Sequence, residues 1–176
     1  MNPLALQPFE ENDFPFILQS ITSADELLQW AGPAFSWPLD EAQLRDYRDK
    51  AVKDPEKFRP LSAVEGDAVV GHVDLVLDRK HDLGYIGRVL VAPAERGRGL
   101  GTALMQEVVR IAFDDHRLHR IGLNVFDFNN SAIRCYERVG FIKEGHPRDT
   151  RRATNGYWSM FVMGMLSTDP RPPAAA

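Results

Sequence analysis

The stretch "RGRGLG", residues 96 to 101, places Gly97, Gly99 and Gly101 at every second position, with Arg96 and Arg98 interleaved. The apolar run "VLV" (Val89 to Val91) precedes it, and "TALMQEVVRIAF" follows with the spacing of an amphipathic helix. A strand, a glycine-rich turn and a helix together suit phosphate. The first N–H groups of a helix are unpaired, and its N-terminus carries partial positive charge. Glycine lets that backbone approach a ligand with no Cβ in the way, and the arginines add attraction for an anion.

Two common phosphate sites fit poorly. A dinucleotide fingerprint counted from Gly97 needs a glycine where the chain has Thr102, and no acidic ribose-binding residue follows about 20 residues later. A P-loop needs a lysine, and the stretch has none. On this stretch alone, a glycine-rich turn without a ligand stands beside the phosphate reading.

The elements that must position the turn follow from pattern. "LALQPF" (Leu4 to Phe9) reads as a strand broken by the acidic "EEND". "SADELLQWAG" has Ser23 and Glu26 at capping-box spacing, and "DEAQLRDYRDKAVKD" has Asp40 as its cap. The loop between them gathers Trp30, Phe35 and Trp37, which either pack as satellite core or wall a ligand site. "LSAVE", "AVVGHVDLVLD" and "LGYIGRVLVA" predict an antiparallel meander. After the glycines come a helix, the strand "RIGLNVF", the helix "NSAIRCYERV", and the closing strands "FIKEG" and "YWSMFVMGML". This is a mixed α/β (α+β) architecture: a mostly antiparallel sheet of about seven strands with about four helices. Residues 1–166 form a single domain, and the tail "STDPRPPAAA" (167–176) reads as disordered.

Composition bounds the function. The 176 residues carry a formal charge of −4, which argues against a dedicated nucleic-acid binder. The lone Cys135 cannot form an internal disulfide, which fits a reducing compartment. The opening "MNPLALQPFEEND" lacks the pattern of a signal peptide, and no apolar stretch is long enough for a membrane span. A cytoplasmic protein is expected. The late strand "YWSMFVMGML" is apolar enough to be buried on both faces or to pair across a homodimer.

"VLVAPAERGRGLGTAL" resembles the acyl-CoA site of the GNAT acetyltransferase superfamily, whose signature Arg/Gln-x-x-Gly-x-Gly/Ala is matched by Arg96, Gly99 and Gly101. "FNNSAIRCYERVGF" is similar to a second block of that family, through Asn129, Ala132, Tyr136, Gly140 and Phe141. The closing segment looks like the branch containing the ribosomal-protein N-terminal acetyltransferases, through Glu144, Gly145, Arg148 and the strand from Tyr157. That branch also includes enzymes acting on antibiotics and small metabolites.

The resemblance implies an N-acetyltransferase that moves an acetyl group from acetyl-CoA, its co-substrate, to a primary amine on a protein N-terminus or a small molecule. No metal is implied. Backbone N–H groups of Arg98, Gly99, Gly101 and Thr102, with Gly97 close by, would wrap the pyrophosphate. The pantetheine arm would run beside Leu90 and Val91, which requires the strand to part from its neighbour. A bulge would achieve that, and Gly87 would tolerate one. Asn129 has two readings, a contact to the cofactor arm and a helix N-cap.

By the same resemblance Tyr136 is the general acid for the departing thiolate, and the N–H of Val91 is an oxyanion donor. A second reading of Tyr136 is packing on Phe141 across a Schellman cap at Gly140. His72 and Asp74, at alternate positions of one strand, are the candidates for the general base, with Glu65 and His146 behind them. Either strand residue could equally be a satisfied buried polar group. Cys135 points differently from Tyr136 around its helix, so direct attack is expected over an acyl-cysteine. The alternative is a non-catalytic acyl-CoA-binding module.

Overall fold

The structure, a computed structural model, describes residues 4–172. Strands β1 (Leu4–Pro8), β2 (Phe58–Glu65), β3 (Ala68–Asp78) and β4 (Leu83–Val91) form an antiparallel meander. Strands β5 (Arg120–Phe126), β6 (Ile142–Gly145) and β9 (Met160–Leu166) complete a seven-stranded sheet, ordered β1-β2-β3-β4-β5-β9-β6. The expected mixed, mostly antiparallel sheet is therefore present. Its single parallel pairing joins β4 to β5.

Among the described residues five α-helices, one more than expected, cover the two faces: α1 (Phe14–Ser20), α2 (Ala24–Ala31), α3 (Glu41–Lys53), α4 (Leu100–Arg110) and α5 (Asn130–Val139). The unforeseen α1 follows directly from the acidic run read as a strand breaker. Glu10 and Asp13 form a capping box on a single 3₁₀ turn (Glu11–Asp13) that leads into α1, with the Glu10 N–H donating to Asp13 Oδ2 at 3.0 Å, and Pro15 lies in the first turn of α1. Phe14 and Ile17 then bury one face. The caps predicted at Ser23 and Asp40 form: Ser23 Oγ accepts from the Glu26 N–H at 3.2 Å, and Asp40 Oδ1 from the Gln43 N–H at 2.9 Å. The Glu26 carboxylate, however, accepts from the Thr22 N–H and hydroxyl instead of closing a box on Ser23.

Each face of the sheet has its own core. Leu104, Met105, Val108, Ile133 and Val139 from α4 and α5 pack with Val73, Leu75, Ile121 and Met163 of the sheet. On the other face Phe14, Ile17, Leu27, Leu44 and Tyr47 pack around Phe9 and Leu90.

The final apolar segment breaks at Ser159. Its first part, β8 (Gly156–Trp158), pairs with β7 (Arg151–Ala153) in a separate hairpin. The rest, β9, is hydrogen-bonded to β5 on one side and β6 on the other, so it has no free edge for a second copy. The tail departs from the expected disorder over residues 167–172. Ser167 N–H donates to His119 O at 2.9 Å, and Arg171 reaches Asp114 at 2.8 Å, which ties the chain back onto the domain. Residues 173–176 of that tail lie outside the described residues. Among the described residues, no helix is long and apolar enough to cross a membrane.

Candidate active site

The site begins where two strands part. β4 and β5 pair only over Leu83↔Arg120, Gly84↔Ile121 and Tyr85↔Gly122, after which β4 continues alone on that edge. On its other edge β4 carries a bulge: His72 faces Leu90 while Asp74 faces Gly87, so β4 holds one residue more than β3. The bulge lies beside Gly87, but the residue with positive φ is Arg88, at 48°. Two contacts hold it there. Trp30 Nε1–H donates to the Arg88 carbonyl at 2.8 Å, and the Arg88 guanidinium ion-pairs with Asp74. Beyond the bulge the Ala92 N–H donates to Val70 O at 2.9 Å. Alternation along the strand then turns the Val91 N–H to the opposite edge, toward the gap.

The glycine turn closes one end of that gap. Gly97 and Gly99 adopt φ of 83° and 85°, which L-residues with a Cβ rarely do, and Gly99 is the N-cap of α4. The carbonyl of Gly99 accepts from the Thr102 and Ala103 N–H groups at 2.9 and 3.1 Å. The Thr102 amide, expected at the phosphate, is therefore engaged by the helix itself. The amides of Gly99, Leu100 and Gly101 have no backbone acceptor among the described residues. The Arg98 side chain is engaged away from the turn: its guanidinium is ion-paired with Glu95 and, at 3.3 Å, with Glu65. Arg96 instead faces the ligand side, with its Nε–H donating to Val91 O at 3.4 Å.

These elements enclose a cleft of about 720 Å³, walled by Val89 to Val91, the glycine turn, and one face of α5 with Asn129, Cys135 and Tyr136. Its rim carries Arg134 and Arg138, two cations that the motif search passed over. The cleft has the features a CoA ester needs: unpaired amides at a helix start, basic side chains around them, and a strand edge open for pairing. Cys135 lines this cleft together with Tyr136, contrary to its expected orientation. Its thiol lies 3.6 Å from Thr102 Oγ1, and burial pushes its pKa up, which keeps it from being a nucleophilic thiolate.

Helix α5 shows the two structural readings directly. Asn129 Oδ1 accepts from the Ala132 N–H at 3.3 Å as the helix N-cap, and the same residue lines the cleft. At the other end, the Phe141 N–H donates to Tyr136 O and the Gly140 N–H to Glu137 O, the bond pattern of a Schellman cap. The Tyr136 and Phe141 rings meet edge to face at 6.3 Å. Tyr136 is only 7% exposed, and burial pushes its phenol well above the ordinary tyrosine pKa.

A second cavity, of about 210 Å³, lies against the first, between Trp30, Tyr85, Arg88, Asn124, Phe126 and Arg151. Gln29, Trp30, Val89, Asn129 and Tyr136 line both cavities. Tyr136 thus stands where the two meet.

His72 and Asp74 are each 0% exposed and line neither cavity. They form a network with Tyr47, which sequence reasoning did not single out. The Tyr47 hydroxyl donates to Asp74 Oδ1, so the His72 Nε2–H is the donor toward the Tyr47 oxygen, 2.9 Å away. Glu65 is held by Arg98, and His146 by Asp127 at 2.9 Å. The loop aromatics divide. Trp30 is buried and stacks on Phe35 at 5.7 Å while also walling both cavities, whereas Trp37 is 46% exposed. Glu144 of the closing segment pairs with Arg120. Arg88 and Arg151 carried no motif signal, because a bulge residue and a hairpin residue become neighbours only through the fold.

A mixed sheet splayed beside a glycine turn, with a tyrosine between two cavities, defines an acyl-CoA-type acyltransferase. Residues 24–141 match the model of the acetyltransferase (GNAT) family. The spermidine N(1)-acetyltransferase of Vibrio cholerae serotype O1 is 26% identical over 149 residues, 81% of each chain. A probable N-acetyltransferase of Bacillus subtilis, YjcK, is 30% identical over 130 residues, 72% of this chain and 71% of the relative. A crystal structure of the Vibrio cholerae spermidine N-acetyltransferase in complex with CoA and spermine superposes with a TM-score of 0.83. At 22% identity, with 94% of this chain and 96% of that one covered, it shares the fold. The chain belongs to the acetyltransferase (GNAT) family. It is an acetyl-CoA-dependent N-acetyltransferase.

Proposed function

We propose that the protein acetylates the primary amine of a small molecule by direct attack, with Tyr136 as the general acid. The observation that carries this reading is the position of Tyr136, a buried phenol lining both the large cleft and the small cavity. Acetyl-CoA, when bound, supplies the activated acetyl group as a thioester. The amides of Gly99, Leu100 and Gly101, with Arg96, would hold its pyrophosphate, and the free edge at Leu90 and Val91 its arm. The Val91 N–H provides a donor for an oxyanion in the gap. Tyr136 holds a proton at its hydroxyl through the neutral range, because its burial disfavours the phenolate.

His72 and Asp74 act in this reading as supports of the bulge. Among the described residues lining the small cavity there is no carboxylate and no imidazole, so proton removal from the amine falls to water or precedes binding. The acceptor is a small molecule and not a protein N-terminus. Two observations support that choice: the cavity is smaller than the roughly 300 Å³ at which drug-sized pockets begin, and the Vibrio cholerae and Escherichia coli relatives are spermidine acetyltransferases. Thiol release from acetyl-CoA, followed over small amines and peptides with free N-termini, tests the reading. Release with peptides alone would overturn it.

A further inference from the structure

The charge of the small cavity narrows the acceptor further, on the reading that this cavity receives the amine. Its ionic walls are Arg88 and Arg151, and among its described lining residues there is no Asp or Glu. Glu26 and Glu95 line the large cleft instead, and Asp74 is wholly buried. Arg88 is neutralised by Asp74. Arg151 is different. It donates to the Thr150 carbonyl at 2.7 Å, yet among the described residues no carboxylate ion-pairs with it.

Arg151 is held in place from two sides. Its strand β7 pairs with β8, setting Arg151 opposite Trp158. The turn of that hairpin is fastened to α2, where Asp25 Oδ1 accepts from the Thr154 N–H at 3.2 Å and the Thr154 hydroxyl at 2.8 Å. The guanidinium also sits close enough to Tyr85 to favour ionisation of its phenol, against the burial that opposes it. A fixed, uncompensated guanidinium in a small cavity is a receptor for a planar anion, which it grips through two parallel N–H donors. A second ammonium group in the same space would meet a like charge with nothing to offset it.

We propose that the acceptor is a small amine carrying a carboxylate near its amino group, gripped by Arg151, and not a polyamine. The amide donors of Gln29 and Asn124 and the apolar faces of Trp30 and Phe126 complete a site of amino-acid size.

The test pairs L-amino acids with their carboxamides, and adds spermidine. Binding is measured by calorimetry with CoA present, and turnover by thiol release from acetyl-CoA. The carboxylate form is expected to bind at least about tenfold more tightly than its amide, the scale of one charge-assisted hydrogen bond. Such a preference runs against amine reactivity, since the amide's amine is the less basic and more of it is free. Arg151→Gln should erase the preference, Arg151→Lys should keep part of it, and Arg151→Glu should turn it toward spermidine. Wild-type binding of spermidine over every carboxylate-bearing amine, or a preference unchanged in Arg151→Gln, would overturn the proposal. Tight binding of the carboxylate amine without thiol release would uphold it while defeating the catalytic reading of the cavity.

Discussion

Arg88 of β4 sits at φ 48°, and its guanidinium is ion-paired with the wholly buried carboxylate of Asp74 on β3. The pair spans the bulge that sends the rest of β4 away from β5. A residue with a Cβ pays on the order of 1–2 kcal/mol for this backbone conformation. The ion pair and the bond from Trp30 to the Arg88 carbonyl offset it.

Asp74→Asn removes the charge and keeps the shape. It should destabilise the protein by about 3 kcal/mol, the lower end for breaking a buried pair, because Arg88 retains 23% exposure. Urea unfolding measures the loss, and the KM for acetyl-CoA should rise with it as the bulge relaxes. A variant as stable as the parent would show that the pair does not hold the bulge.

Tyr136→Phe keeps the ring on Phe141 and removes a hydroxyl that has no hydrogen-bond partner among the described residues. Stability should hardly change. Turnover should fall by about 10²–10⁴, the usual weight of general acid catalysis, with acetyl-CoA affinity unaltered. Steady-state kinetics with calorimetry separate the two effects, and an unchanged kcat would remove Tyr136 from the chemistry.

Gly99 and Gly101 should respond differently. A Cβ at Gly99 meets open space, so its constraint is the left-handed φ of 85° and the nearness of the ligand. Gly99→Val should weaken acetyl-CoA binding about tenfold or more, through loss of at least one charge-assisted hydrogen bond. At Gly101 a Cβ makes ordinary contacts of 3.7 Å with Val91 and 3.8 Å with Cys135. Gly101→Ala should therefore stabilise the fold by about 0.5–1 kcal/mol, by restricting the unfolded chain. Calorimetry with acetyl-CoA checks the first variant and thermal unfolding the second; unaltered affinity in Gly99→Val, or a less stable Gly101→Ala, would refute the contrast.

The pH dependence follows from Tyr136. Burial raises its pKa, so the acid form is fully present through neutral pH and is lost only as pH rises through that raised value. The amine must be free, so kcat/KM should climb with pH toward the acceptor's own pKa. No falling limb from Tyr136 should show below about pH 10, the ordinary tyrosine value. A descending limb near pH 8 would mean that a different group donates the proton.

Much of the cofactor side was legible in the sequence. "RGRGLG" carries its own meaning because a turn and the helix after it are local, and Asn129, Tyr136 and Gly140 share one helix. The caps at Ser23 and Asp40 were readable for the same reason. The Arg98 guanidinium was read as attraction for an anion, yet it is ion-paired with Glu95 and with Glu65, the second brought beside it by a different strand. Helix α1 was missed because an acidic run that ends a strand also caps a helix, and the two cannot be told apart without Phe14 and Ile17 finding their core.

The small cavity and the buried network behind it were hidden. His72 and Asp74 share a strand face, as their alternate spacing requires, but spacing does not tell which sheet face is packed shut. Tyr47 and Arg88 close that face, from a helix and a bulge far apart in sequence. By itself, then, the sequence determined a turn and helix start suited to phosphate, because these are contiguous and governed by local backbone geometry, and its resemblance to the GNAT family named acetyl-CoA as the donor. The tertiary structure alone decided what surrounds the small cavity. Burial and net charge in a cavity are sums over elements that meet only when the sheet is assembled, and it is assembly that leaves Arg151 there with no carboxylate ion-paired to it among the described residues.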